Sequence, residues 1–312
     1  MELLFTRCSG AGTKSKRINC PIGKKAMKKD LWTMPYAASL LLLGMTYLPI
    51  PSRAAPAAAE SIDGFRDTPM IPGTQWHLHD PDRPQPPVVT PGRNFSQEAT
   101  APSDAEVLFD GRDLAKWQTA SGQDAPWKVK DGFMETAGRE GIRTRGKWKD
   151  LQLHVEFATP LPPKGSGQGR GNSGILINGM YEVQVLDSYQ AKTYPDGQAG
   201  AIYGQSPPLV NASKPPGEWQ TYDILFESPR WNPQGELIKK AVVTVLHNGV
   251  VVQNHYEFTG ITDGITGEVP WKTLAHYGPP HPPEVFIELQ YHNNPLRFRN
   301  IWVRQLGLAN PR

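Results

Sequence analysis

The sequence predicts an all-β domain built as a two-sheet jelly-roll sandwich. Of its 312 residues, 30 are Gly and 31 are Pro, so helix breakers and turn formers make up about a fifth of the chain. Nine Trp, ten Tyr and ten Phe supply apolar area for a core. From residue 106 onward, short alternating segments are separated by Gly, Pro and Asp turns. At least eight such strands in about 200 residues are typical of a sandwich of two antiparallel sheets.

The first 59 residues have the layout of a secretory signal peptide. A basic stretch at 24–30 precedes a mostly apolar run at 31–50, and small residues follow as far as Ala59. The run is long enough to be a transmembrane anchor, but its Pro and Gly residues and the Ala-rich exit favour cleavage near Ala59. The pattern predicts translation from Met27 and a bacterial periplasmic or secreted protein.

Loss of this segment changes the charge and the cysteine content. It removes nine of the 33 Lys and Arg residues and two of the 30 Asp and Glu residues, so the net charge moves from +3 to about −4. A mildly acidic protein is not attracted to nucleic acid or to an anionic membrane, and neither partner is expected. Cys8 and Cys20 are both removed. The mature protein is therefore expected to have no disulfide, no thiolate metal site and no stable membrane insertion.

Residues 60–103 are predicted to form an extended arm that packs on the main domain. The segment is rich in Pro and polar residues and lacks helical or strand periodicity. Its aromatic and charged centre, 76–84, favours packing through Trp76 over a free linker. That centre contains His77, His79, Asp80 and Asp82. Their spacing does not match a fixed metal-ligand pattern, so no metal site is predicted there.

The main domain, 104–312, contains the predicted strands. Residues 151–157 have an apolar side chain at every odd position, and residues 181–185 alternate in the same way. An Asn-Gly pair at 248–249 joins two β-branched runs and predicts a hairpin. The other predicted strands lie at 222–226, 242–246, 250–252, 286–292 and 298–306. The glycine-rich segment 165–171 is predicted to be a solvent loop between strands, because phosphate-binding loops of this composition open a helix.

Polar side chains project from one face of two predicted strands. Glu182 and Gln184 share one face, and Glu288, Gln290 and His292 share a face on a later strand. A groove lined by acids, amides and an imidazole would suit a sugar, whereas a solvated outer face is the alternative that the pattern leaves open. Further candidates for the same groove are Asn172, Asp187, Tyr203, Arg297 and Arg299.

Seven short sequence blocks follow one another along the main domain. They lie at 108–117 (Leu-Phe-Asp-Gly-Arg-Asp-Leu-Ala-Lys-Trp), 171–175 (Gly-Asn-Ser-Gly-Ile), 181–188 (Tyr-Glu-Val-Gln-Val-Leu-Asp-Ser), 201–205, 214–223, 244–249 and 294–302. In order and content they resemble the 3-keto-disaccharide hydrolase domain family, once a domain of unknown function. The resemblance implies a concanavalin A-like jelly roll, export, and cleavage of glycosides whose sugar carries a 3-keto group.

The chemistry implied by the resemblance needs a base, an oxyanion partner and a proton donor. A ketone at C3 acidifies the C2 hydrogen, so a base can form an enolate that expels the C1 substituent, and water can add to the unsaturated product. His292 is the expected base, since an imidazole titrates near neutral pH. Glu182 or Asp187 is expected to protonate the leaving oxygen, and Arg297 or Tyr203 to stabilise the enolate. The residues expected to bind substrate are Asn172, Gln184, Tyr203, Glu288, Gln290, Arg297 and Arg299.

Two other functions stay open from the sequence. The same sandwich fold serves as a carbohydrate-binding module without catalysis. A conventional glycosidase would use two carboxylates, for which Glu182 and Glu288 are available. No cofactor is predicted, although the acids and His292 leave a divalent metal ion open. The linkage, the aglycone, the choice between hydrolase and lyase, and the oligomeric state do not follow from the sequence.

Overall fold

A computed structural model describes residues 63–93, 96–262 and 272–307. The predicted signal segment, 1–59, lies outside these ranges. The described part contains fifteen strands and two short 3-10 segments, Gly167–Gly169 and Pro195–Gly197, and within it no helix is long and apolar enough to cross a membrane. The strands are β1 Glu106–Phe109, β2 Trp117–Gln118, β3 Lys128–Lys130, β4 Phe133–Glu135, β5 Ile142–Thr144, β6 Leu151–Ala158, β7 Ser173–Ile177, β8 Tyr181–Val185, β9 Gln220–Glu227, β10 Arg230–Trp231, β11 Leu237–Lys239, β12 Val242–His247, β13 Val250–Glu257, β14 Ile287–Leu289 and β15 Arg297–Gln305.

Two antiparallel sheets form the body of the domain, which confirms the predicted jelly-roll class. The larger sheet has the order β13-β12-β9-β6-β15-β4-β3, with β1 paired to β15. The smaller sheet has the order β2-β5-β14-β7-β8. Apolar side chains from both sheets form one core cluster, including Phe157, Tyr181 and Tyr222, each fully buried. Burying side chains of this size stabilises the fold by about 1.5–3 kcal/mol each.

The predicted alternation determines which side chains enter the core. On β8, Tyr181, Val183 and Val185 belong to the core cluster, so Glu182 and Gln184 point to the opposite face of the sheet. The hairpin predicted at 248–249 joins β12 to β13, and both turn residues have the positive φ, 51° and 79°, that this tight turn requires.

One predicted strand is shorter than expected. The pattern extends from 286 to 292, but β14 ends at Leu289, and Asn293 then adopts a left-handed φ of 57°. The chain turns there before β15 begins at Arg297 in the other sheet. His292 therefore lies in a loop and not on the strand that carries Glu288.

The arm lies along the main domain over its described length. Leu78 and His79 are buried, whereas Trp76 is only half-buried, so the first two supply more of the packing than the predicted Trp76. Further along, Val88 forms a parallel bridge with Asn211, and the Glu98 backbone amide donates to Glu156 on β6. The arm thus contacts the domain at several separate places.

The two arm aspartates, Asp80 and Asp82, are hydrogen-bonded or paired within the arm. Asp80 accepts hydrogen bonds from the backbone amides of His77 (3.1 Å) and Asp82 (2.9 Å), and Asp82 also pairs with Arg66 at 2.6 Å. Within the described ranges, no group of three or more His, Cys, Asp and Glu side chains is arranged to hold a metal ion.

Candidate active site

A cavity of about 750 Å³ lies on the face of the smaller sheet that points away from the core. The sheet, the glycine-rich loop, the 194–203 segment and the arm all contribute to it. Its lining residues are Asp63, Gly64, Phe65, Ser166, Gln168, Gly169, Asn172, Glu182, Gln184, Tyr194, Tyr203, Gln290 and His292. Six of the ten sequence-predicted site residues are therefore brought together here: Asn172, Glu182, Gln184, Tyr203, Gln290 and His292.

Strand β7 brings the two polar strand faces next to each other. Its Gly174 pairs with Gln184 on β8, and the Gln290 amide, just beyond β14, donates to the Gly174 carbonyl at 3.0 Å. A Cβ at Gly174 would lie 2.2 Å from Glu182 Oε1, a distance that real contacts do not reach. Glycine at this position therefore leaves the space that the Glu182 carboxylate occupies.

Glu182 is buried, and hydrogen bonds with its neighbours fix its position. Only 3% of the residue is exposed, and its backbone amide donates to Thr262 Oγ1 at 3.1 Å. In the amide orientation that satisfies its neighbours, Gln184 donates to Glu182 Oε1 at 3.1 Å and to the Ser173 carbonyl at 3.0 Å. The carboxylate is thus held in one position while its residue lines the cavity.

His292 is exposed at the edge of the cavity. It also lines a neighbouring cavity of about 350 Å³, formed with Lys164, Asn293 and other loop residues. Its carbonyl accepts a hydrogen bond from Asn294 Nδ2 at 2.7 Å, and Asn294 Oδ1 accepts from the Gly171 amide at 3.0 Å. The turn that carries the imidazole is therefore tied to the glycine-rich loop, and His292 lines both cavities.

Two tyrosines form an aromatic part of the lining. The hydroxyls of Tyr194 and Tyr203 are 2.7 Å apart. Burial raises the pKa of Tyr194, so its hydroxyl keeps its proton. The buried ring of His79 packs against both, with ring centroids 4.4 Å from Tyr194 and 5.1 Å from Tyr203. Because one hydroxyl donates to the other, the pair can present one phenolic hydrogen to a ligand.

Amide side chains complete the polar lining. Asn172 Nδ2 donates to the Gln168 carbonyl at 2.7 Å, which places its side chain beside the loop. Among the residues that the structure describes, none donates to the buried Oε1 of Gln290.

Two predicted acids lie elsewhere. Asp187 does not line the cavity, because its carboxylate is buried against the Arg170 guanidinium at 2.7 Å. Burial raises the pKa of Asp187, and Arg170 opposes that rise. Glu288 does not line the cavity either; it pairs with Leu176 of β7, which lies between Glu288 and Glu182 in the sheet. Burial also raises the pKa of Glu288, with Arg143 opposing.

The two predicted arginines belong to the other sheet. Arg297 lies on β15, where its guanidinium is 5.4 Å from the Trp219 ring. Arg299 pairs with Glu156 and with Glu98, each at 2.8 Å. Both arginines lie close to His292 in sequence but are carried away from the cavity by the turn between the sheets.

Most of the main domain matches a known protein family. A model of the 3-keto-alpha-glucoside-1,2-lyase-like domain matches residues 104–304. The chain belongs to this family. A crystal structure of a candidate glycosyl hydrolase from Parabacteroides distasonis ATCC 8503 is 44% identical, with a TM-score of 0.60, over 72% of this chain and 93% of that one. A second such structure from that organism is 24% identical, with a TM-score of 0.44, over 65% and 99%. No match was found among curated proteins.

Some lining residues of this lyase-like domain were not predicted. The glycine-rich loop supplies Ser166, Gln168 and Gly169, so it forms a wall of the cavity as well as joining β6 to β7. Asp63 and Phe65 come from the arm, outside the residues that the family model matches. The glycines of the loop were the sequence signal that could have predicted this wall of the cavity, since glycine permits close approach of other groups.

Proposed function

We propose that this protein cleaves 3-keto-glycosides by removing the C2 proton and expelling the C1 substituent. The observation that supports this most is that one cavity contains both a carboxylate, Glu182, and an imidazole, His292, in a member of the 3-keto-alpha-glucoside-1,2-lyase-like domain family. The glycosyl hydrolase description of the 44% identical relative agrees with a carbohydrate substrate.

The lining residues can share the reaction as follows. His292 takes the C2 proton, and the C–H electron pair forms an enolate whose negative charge lies on the C3 oxygen. The Tyr203 hydroxyl donates to that oxygen, with Tyr194 donating to Tyr203 in turn. Collapse of the enolate breaks the C1–O bond, and Glu182, which must enter this step as the protonated carboxylic acid, gives its proton to the leaving oxygen. Water addition to the C1–C2 double bond then completes a net hydrolysis. Asp187 and Arg297 have no part in this scheme.

A conventional glycosidase that uses the predicted pair Glu182 and Glu288 is less well supported by the geometry. It needs two carboxylates on either side of one glycosidic bond. Glu182 lines the cavity, whereas Glu288 does not, and Leu176 lies between them in the sheet. Elimination after removal of a C2 proton needs one base, one acid and one donor to the enolate oxygen, and His292, Glu182 and Tyr203 all line the cavity.

A comparison of substrates tests the reaction. The protein is incubated with a 3-keto disaccharide and with its unoxidised parent, each with and without a chelator of divalent metals. We expect cleavage of the keto sugar and no cleavage of its parent. When the reaction is run in deuterated water, the product should carry deuterium at C2. Retention of protium at C2 would show direct displacement at C1, and binding without cleavage of either sugar would favour a carbohydrate-binding module.

We also propose that residues 1–59 direct export and are removed. The basic, apolar and small-residue order supports this. N-terminal sequencing of the protein from a bacterial periplasm should give a start near residues 58–60. An uncleaved chain retained in the membrane fraction would contradict the proposal.

A further inference from the structure

We infer that the N-terminal arm forms part of the sugar site, with Asp63 and Phe65 positioning the substrate, an inference that rests on the proposed function. Both residues line the same cavity as Glu182 and His292. They precede residue 104, where the match to the family domain begins. The substrate site therefore extends beyond the domain that gives the family its name.

The arm is anchored to the aromatic part of the cavity. The Phe65 amide donates to the His79 carbonyl at 2.9 Å, and the His79 amide donates to Asp196 Oδ2 at 3.0 Å. The fully buried His79 ring lies against Tyr194 and Tyr203, which themselves line the cavity. Through His79, the position of Phe65 is coupled to that of the two tyrosines.

Two glycines permit the approach of the arm. A Cβ at Gly64 would lie 2.7 Å from the His79 carbonyl oxygen, so a larger residue would push the arm away from its anchor. A Cβ at Gly167, where φ is +48°, would lie 1.7 Å from Asp63 Oδ2. The Asp63 carboxylate therefore lies directly against the glycine-rich loop, and the arm and the loop together close this side of the cavity.

The two side chains offer complementary contacts to a sugar. The Phe65 ring gives apolar surface of the kind that packs on sugar C–H groups, and Lys272 Nζ, 3.9 Å from its centroid, helps to fix the ring. The Asp63 carboxylate accepts hydrogen bonds from hydroxyls. Asp63 also lines a side cavity of about 270 Å³, together with Arg170 and Lys192. It thus lines both cavities, and its carboxylate can accept a hydrogen bond from a sugar unit in either one.

The test uses Asp63→Asn and Phe65→Ala in the full chain. Asp82→Asn is the matched control, because Asp82 is an exposed carboxylate on the same arm that pairs with Arg66 and does not line the cavity. Binding of a 3-keto disaccharide and of its unoxidised parent is measured by calorimetry, together with kcat, KM and the melting temperature. Each site variant should raise both Kd and KM about tenfold and largely retain kcat. The control variant should have the Kd, KM and kcat of the wild type.

The outcomes separate this inference from the proposed function. Unchanged Kd and KM in both site variants would overturn the role of the arm and leave keto-sugar cleavage intact. If the wild type binds both sugars but cleaves neither, the proposed reaction fails, while weaker binding by Asp63→Asn would still support the arm. Phe65→Tyr keeps the ring, so it should bind like the wild type even if Phe65→Ala lowers the melting temperature; weak binding by a fully folded Phe65→Tyr would refute a packing role for the ring.

Discussion

Substituting Glu156 by Gln should remove much of the acid sensitivity of the fold. The Glu156 carboxylate is fully buried on β6 and joins the arm to the larger sheet. It accepts hydrogen bonds from the Glu98 amide (2.5 Å), Arg299 Nε (2.8 Å) and Asn300 Nδ2 (2.9 Å), and His154 Nε2 is 3.6 Å away. Four donor groups therefore surround one carboxylate.

The size of the effect follows from the pKa of Glu156. Burial by itself would raise the pKa, but the hydrogen bonds outweigh burial and lower it from 4.5 to about 2. A carboxyl whose pKa is lowered on folding stabilises the fold above its unfolded pKa, and that contribution is lost as the pH falls through the folded pKa. At about 1.4 kcal/mol per pKa unit, the free energy of unfolding should fall by about 3 kcal/mol as the pH decreases from 4.5 to about 2.

The neighbouring imidazole acts in a different pH range. Burial would lower the pKa of His154, but the carboxylates of Asp223 and Glu156 outweigh burial and raise it above 6.5. Its stabilising contribution is complete below the unfolded pKa and is lost as the pH rises through the folded pKa. His154 therefore makes the free energy of unfolding decrease at alkaline pH, whereas Glu156 determines its decrease at acid pH.

Urea unfolding at several pH values measures this difference. Glu156→Gln should be less stable than the wild type by up to about 3 kcal/mol near neutral pH, and the two should converge as the pH approaches 2. Glu227→Gln is the control, because Glu227 is part of an exposed pair with Lys239 and should contribute less than about 1 kcal/mol. Parallel loss of stability in the wild type and Glu156→Gln as the pH decreases below 4.5 would refute the reasoning.

Three further substitutions test the site and the arm. His292→Ala should lower kcat on a 3-keto glycoside by about 100-fold while Kd changes little, which steady-state kinetics and calorimetry can check. Gly174→Ala should lower turnover more than sugar binding, because its Cβ would displace the Glu182 carboxylate; a variant as active as the wild type would contradict the placement of Glu182. Leu78→Ala should cost about 2–5 kcal/mol in urea unfolding, since the side chain is 1% exposed, and an unchanged midpoint would show that the arm does not stabilise the domain.

The sequence predicted seven of the fifteen strands, namely β6, β8, β9, β12, β13, β14 and β15, because their alternation is local. Tyr181–Val185 has the bounds that the pattern indicated, and its polar positions, Glu182 and Gln184, face away from the core. The prediction was less accurate where a turn ended the alternation. Beyond Leu289 the spacing of Gln290 and His292 still fits a strand, yet the left-handed residue that follows turns the chain toward the other sheet.

The positions of the predicted charged residues depended on partners far away in sequence. Arg299 pairs with Glu98, 201 residues away, and this contact holds it on the larger sheet. Asp187 was expected in the cavity because it follows β8, but Arg170 reaches it from the glycine-rich loop. Neither pairing leaves a local pattern, so the sequence could supply candidates of the right chemical type without sorting them by location.

The glycine-rich loop shows why a neutral ligand fits this site better than a phosphate. Three glycines in and just after the loop each leave room for an acidic side chain, as the close approaches show: Gly167 with Asp63, Gly171 with Asp187 and Gly174 with Glu182. Arg170 compensates one of these carboxylates, and the other two line the cavity. Carboxylates beside the loop would repel an anion, whereas they accept hydrogen bonds from hydroxyl groups. The same glycines that suggest a phosphate loop in the sequence therefore create, in the fold, a cavity suited to an uncharged sugar.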